Sequence, residues 1–342
     1  MSAATTAGSA AAALVPLLDW VARREHPVAL ELACREHPDP ARGVAGRDVV
    51  TLPVCAATVP EVVFYELLGR GARAVWVRTD GCAQADTTAA LLSRCADVLA
   101  AIGAEAAIRP EPGAPQAPRR AVQDTTDLGW SRRAWLRRRA GLGRSEGHAR
   151  AVMPEDAAHD DLPGQPARGP RRLAAALRAL APTHPAGLPG GLPAPASDVA
   201  APARALISEG CTACGVCVRI CPNDALALVD VDDGDGAGPA HTRTLLRHAP
   251  AACDGAAACI AACPEQALSS DAHWGVEVLL EDEVVELDEV TTMRCARCGA
   301  RCPHAEGGFC ELCSFRRTHP FQGRLPAAVA DRLDPGRAGK LR

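Results

Sequence analysis

Aromatic residues are scarce in this 342-residue chain: one Tyr, four Phe and five Trp, 3% in all. So low a content argues against large cores. Long apolar runs are missing as well. No stretch approaches the ~20 apolar residues of a membrane-spanning helix, so direct membrane insertion is not expected. There is no excess of basic charge: 37 Lys and Arg stand against 41 Asp and Glu, a net charge of −4. General nucleic-acid binders present a basic field, so no nucleic-acid partner is expected. The opening stretch, "MSAATTAGSAAAALVPLLDWVARREHP", lacks a basic start and soon meets Pro16 and Asp19. It reads as a helix rather than a signal peptide. The expected location is the cytoplasm, at most peripheral to a membrane complex.

Cysteine is what the chain has in quantity, with 16 residues. Several sit in tight C-x2-C pairs, a spacing that suits soft metal ligation better than long-range disulfides. Residues 211–222, "CTACGVCVRICP", place four cysteines at spacings of two, two and three before a proline. That is the spacing of a bacterial iron–sulfur cluster motif. A partner follows at 253–264, "CDGAAACIAACP", but its second ligand position is Ala256. Between the two, "ALALVDV", an Asp/Gly turn and "HTRTLLRHA" suggest a hairpin.

Residues 205–272 thus resemble the two-cluster ferredoxins, which implies an α+β dicluster domain. In that family the fourth cysteine of each motif ligates the other motif's cluster. The resemblance therefore implies one [4Fe–4S] cluster on Cys211, Cys214, Cys217 and Cys263. The second site would hold Cys221, Cys253 and Cys259, one thiolate short. Three outcomes are open there: [3Fe–4S], [4Fe–4S] with a water or carboxylate on the fourth iron, or no cluster. Three thiolates match the three irons of the first outcome, and Asp254 is the nearest carboxylate for the second.

Residues 25–110 alternate strand and helix patterns, which predicts a parallel α/β sheet in a domain of residues 1–110. "PVALELAC", "DVVTLPVC" and "ARAVWVRTDGC" read as strands reaching Cys34, Cys55 and Cys82. "VPEVVFYELLGRG" and "ADTTAALLSRCADVLAAIG" read as helices, and "AEAAIR" as a last strand. Carboxyl ends of parallel strands share one edge, so the three thiols can converge there. Cys95 reads as core. The stretch from Val49 to Cys82 and "LLSRCADVLAAIGAEAAIR" resemble the delta subunit of methyl-viologen-reducing hydrogenase. That resemblance implies a [2Fe–2S] cluster and electron exchange with hydrogenase, formate dehydrogenase or heterodisulfide-reductase modules. Members usually carry more cysteines in this region than the three found here.

Residues 111–204, rich in Pro, Ala and Arg and free of cysteine, read as a linker with one short helix at "RRLAAALRALA". Within it, "SRRAWL" and "RRRAGLG" form a basic segment with Trp130 and Trp135 as anchors for an acidic partner. Residues 273–292 read as an acidic connector of strand type. Residues 293–320 carry Cys295, Cys298, Cys310 and Cys313 as two C-x2-C pairs, the pattern of a zinc ribbon, with Gly299 allowing the first turn. A mononuclear iron site or an iron–sulfur site is the alternative, since Cys302-Pro303 echoes a cluster motif. Residues 321–342 read as a helical tail.

Together these features predict an electron-transfer subunit that relays single electrons to or from a larger redox enzyme or complex. Two other readings stay open. One is a reductase that uses the open iron position near Ala256. The other is a redox sensor built on clusters and zinc. The oligomeric state is left open.

Overall fold

A computed structural model describes residues 10–113, 118–128, 169–181, 199–231, 242–305 and 307–320. The basic segment around "SRRAWL", the turn of the predicted hairpin and the tail lie outside the described residues. The chain divides into two compact units, Met1–Gly187 and Leu188–Arg342. Among the described residues no helix is long and apolar enough to cross a membrane.

The first unit opens with α1 (Val15–Ala22), Pro16 lying in its first turn, where a missing N–H costs nothing. A five-stranded parallel sheet follows: β1 (Val28–Cys34), β2 (Asp48–Leu52), β3 (Ala72–Arg78), β4 (Ala107–Glu111) and β5 (Val122–Asp124). Its order is β4-β3-β1-β2-β5. Helix α2 (Glu61–Gly69) starts behind Pro60, and α3 (Ala85–Ala101) crosses from β3 to β4. Strand β1 is central and buried from Ala29 to Ala33, as a strand covered on both faces must be. The chain leaves β1 toward β2 on one side and returns to β3 on the other. That reversal opens a crevice at the carboxyl edge of the three central strands.

Two expectations change here. Strands β2 and β3 stop at Leu52 and Arg78, so Cys55 and Cys82 lie in the loops beyond. Pro53 cannot donate to the ladder, and Gly81 turns the chain at φ +68°. Residues 111–204 are also more than a linker. Beside the expected short helix, α4 (Gly169–Arg178), which packs on α2, they supply β5, too short for its pattern to stand out. Arg172 donates to both carboxylate oxygens of the buried Glu66 at 2.7 Å.

Glu31 is the one carboxylate with no exposed surface in this sheet. Its oxygens accept from Arg78 Nη1 at 3.2 Å and from the Val44 N–H at 2.9 Å, and Arg47 lies at 3.5 Å. Arg78 also clamps Asp80 at 2.6 and 2.7 Å, the first of the hydrogen bonds that pull the Asp80 carboxyl down to about 2 against the opposing effect of burial. Glu31→Ala removes one of the two carboxylates that pair Arg78 in the core and should cost up to about 3–5 kcal/mol. Native-state hydrogen exchange of β1–β3 measures this; a loss below about 1 kcal/mol would show that Asp80 alone satisfies Arg78.

The second unit holds a two-stranded antiparallel pair, β6 (Ala200–Ser208) with β9 (Leu268–Gly275), and a four-stranded sheet. The latter contains the hairpin β7 (Leu226–Val231) and β8 (Thr242–His248), then β10 (Val285–Arg294) and β11 (Arg301–Pro303), in the order β11-β10-β8-β7. Short helices α5 (Val216–Ile220) and α6 (Ala258–Ala261) carry cluster-motif cysteines, and α7 (Glu311–Thr318) follows β11. The acidic connector is therefore part of the fold. Residues 285–292 pair along β8, with Glu286 accepting from Arg247 at 2.8 Å. One sheet runs from the dicluster hairpin into the C-terminal cysteine segment.

Candidate metal centres

In the first unit the Sγ atoms of Cys34, Cys55 and Cys82 all lie within 4.8 Å of one another at the crevice. Each is half-buried. Cys34 ends β1, Cys55 leads the 3-10 turn Ala56–Thr58 and Cys82 precedes α3. The Ala56 N–H donates to Cys34 Sγ at 3.3 Å and the Gln84 N–H to Cys82 Sγ at 3.4 Å. Burial pushes the Cys34 thiol up to about 11. Cys95 is fully buried in α3 beside Tyr65 and stands outside this group.

In the second unit the two cysteine motifs fold as copies of each other. Left-handed residues recur at matched positions: Ala213 and Gly255, Gly215 and Ala257, Asp224 and Gln266, all with φ between +52° and +74°. The loops curl so that Cys211, Cys214, Cys217 and Cys263 line one cavity. Cys221, Cys253 and Cys259 line a second. The fourth cysteine of each motif thus lies with the other motif's set. Each four-residue step between neighbouring ligands, Cys217 to Cys221 and Cys259 to Cys263, joins the two cavities.

The donor set fits an iron–sulfur cluster. Backbone N–H groups aim at the sulfurs: Ala213 to Cys211 at 3.3 Å, Ala225 to Cys221 at 3.2 Å and Ala267 to Cys263 at 3.3 Å. Such hydrogen bonds stabilise thiolate and tune cluster potential. Burial, then the neighbouring Cys211, pushes the Cys217 thiol up to about 11, so a proton leaves when it ligates. Leu206, Leu226, Leu246 and Leu268 form the apolar bed around the motifs. Asp288 of β10 accepts from the Ser208 hydroxyl at 2.9 Å and the Cys211 N–H at 3.3 Å, tying the first ligand loop to the sheet.

At the second cavity Ala256 keeps the loop conformation of Cys214 without its thiol. The carboxylate expected nearby, Asp254, is exposed and engaged. One oxygen accepts from the Ala256 N–H at 3.0 Å and the other from Asn223 Nδ2 at 2.8 Å. The sequence reading overlooked His248, at the end of β8, which lines the same cavity. It has no exposed surface, and burial pulls its imidazole down to about 4, so the ring is neutral at pH 7. The signal was an interruption in "HTRTLLRHA": Thr244, Leu246 and His248 share the inward face of β8.

In the C-terminal segment the Sγ atoms of Cys295, Cys298, Cys310 and Cys313 lie within 4.8 Å of one another. Cys295 follows β10, Gly299 turns the chain at φ +71°, and Cys310 caps α7. N–H donors of Cys310, then of Cys298, pull the Cys295 thiol down to about 6, whereas burial pushes Cys313 up to about 12. Cys302 is buried beside this group, its S–H directed to the Met293 carbonyl at 3.7 Å. Neither Cys302 nor His304 belongs to the four-sulfur group.

Residues 210–267 match the family model of the 4Fe-4S dicluster domain. No curated protein matches the chain. The second unit therefore contains a 4Fe–4S dicluster domain, whose chemistry is the transfer of electrons.

Proposed function

We propose that the chain is an iron–sulfur relay subunit that passes single electrons to or from a larger oxidoreductase of the hydrogenase, formate dehydrogenase or heterodisulfide-reductase class. The observation that carries this reading is the pairing of two cysteine-lined cavities by α5 and α6. Four residues, ~6 Å of helical rise, separate a ligand of one site from a ligand of the other. When bound, the clusters supply one-electron chemistry and require no acid, base or nucleophile. Cys211, Cys214, Cys217 and Cys263 hold a [4Fe–4S] cluster. Cys221, Cys253 and Cys259 hold the second. The amides of Ala213, Ala225 and Ala267 steady the thiolates, and the leucine bed excludes water.

Cys34, Cys55 and Cys82 supply three of the four ligands of a two-iron cluster at the sheet edge. The resemblance of that unit to the hydrogenase delta subunit makes it the end that docks a partner. The four C-terminal cysteines suit a structural zinc ion, whose tetrahedral thiolate shell they can complete.

The test is electron counting. Anaerobically purified chain, reduced and freed of reductant, should deliver about three electrons to oxidised cytochrome c, about two from the dicluster domain and about one from the two-iron cluster. It should show no turnover of hydrogen or formate by itself. Delivery of less than about one electron, or turnover without a partner, would defeat the relay reading.

A further inference from the structure

On the inward face of β8, successive positions serve different cavities. Leu246 lines the first and His248 the second. Their cross-strand partners on β7 follow suit, Leu228 opposite Leu246 and Leu226 opposite His248. The first cavity, with four thiols, has leucines on both strands. The second, with three, has an imidazole on one of them.

That imidazole is costly as it stands. It is fully buried, and neither Nδ1 nor Nε2 has a hydrogen-bond partner. Buried polar groups are nearly always partnered, and a leucine here would avoid the penalty. The same cavity is one ligand short, because Ala256 occupies the place that matches Cys214. Asp254 has both oxygens engaged and is exposed. A neutral imidazole nitrogen is a good ligand for iron.

We propose that His248 provides, through a ring nitrogen, the fourth iron ligand of the second cluster. The cluster is then [4Fe–4S] with three thiolates and one imidazole. The inference rests on the reading that a second cluster assembles at Cys221, Cys253 and Cys259. Exchange of thiolate for imidazole raises cluster potential. The second site is thus the more oxidising of the two, and electrons entering the domain settle there.

The test uses the full chain, reconstituted anaerobically, with clusters counted by type in Mössbauer spectra so that iron elsewhere does not enter. The dicluster domain should hold about eight iron atoms. With ¹⁵N-histidine label, pulsed EPR of the reduced second cluster should show a directly bonded nitrogen. His248→Leu should leave about seven iron atoms and the signal of a three-iron cluster. Adding Ala256→Cys to that variant should restore the fourth iron without the nitrogen coupling, which separates a lost ligand from a lost fold. About seven iron atoms in the native chain, or about eight in both the native chain and His248→Leu, overturns the assignment. About four in the native chain means that no second cluster forms, which overturns the underlying reading together with the assignment.

Discussion

Cys263→Ser strips the four-thiolate site of about four iron atoms, although Cys263 belongs to the second motif. The reason is the crossing of the ligand sets. Cys263 lines the cavity of Cys211, Cys214 and Cys217, while its sequence neighbours Cys253 and Cys259 line the other. A serine hydroxyl replaces a soft thiolate poorly, and the apolar bed of Leu246 and Leu268 offers no substitute donor. The converse variant, Cys221→Ser, should spare this site and remove the second cluster, which begins with only three thiolates. Iron and acid-labile sulfide per chain, with EPR of the reduced protein, read the two variants apart. If Cys263→Ser instead perturbed the second cluster and left the first signal intact, each motif would hold its own cluster. The crossed arrangement would then be wrong, and with it the α5 and α6 bridge between sites.

How much of this was legible before the fold depends on what encodes each feature. Cluster ligands in one loop must follow one another at fixed short spacing, so "CTACGVCVRICP" exposes its chemistry directly. The thiols of Cys34, Cys55 and Cys82 are far apart in sequence. Their convergence was inferable only through the parallel sheet, whose carboxyl edge gathers successive loops. The end of β2 was misplaced because the apolar pattern runs on past Leu52 into Pro53 and Val54. Strand β5 is three residues long, too short for periodicity to show. His248 was hidden for a different reason. Its relation to the second cavity is set by the register of β7 against β8, and one residue of slip would turn it to the other face. The acidic run was read as a connector of strand type because alternating charge looks the same on a free strand and on one paired to β8.

Chelation of the zinc proposed at Cys295, Cys298, Cys310 and Cys313 should unfold the C-terminal segment while the dicluster fold survives. The apolar cluster here consists of Met293, Phe309 and cysteines, too little to order the segment by burial alone. Its turns are short-range: Cys295 N–H to the Ala300 carbonyl at 2.9 Å, Ala296 N–H to Gly308 at 2.9 Å and Gly299 N–H to Cys295 at 2.9 Å. A structural zinc on four thiolates contributes on the order of 10–16 kcal/mol, more than these contacts can replace. Hydrogen exchange should therefore become fast across β11 and α7 after chelation. It should stay slow in β7 and β8, which pair with each other independently of that segment. Cys313→Ser should reproduce the effect at neutral pH. The metal binds thiolates, so its affinity is greatest at high pH and falls as protons compete on acidification. Cys295, held near 6 by its N–H donors, is already a thiolate at pH 7 and adds a competing proton only below about that value. Zinc release followed by a chromophoric chelator should thus steepen below pH 6. If β11 and α7 keep their protection after chelation, the four cysteines are not what orders the segment, and a binding or redox role for that site takes precedence over a structural one.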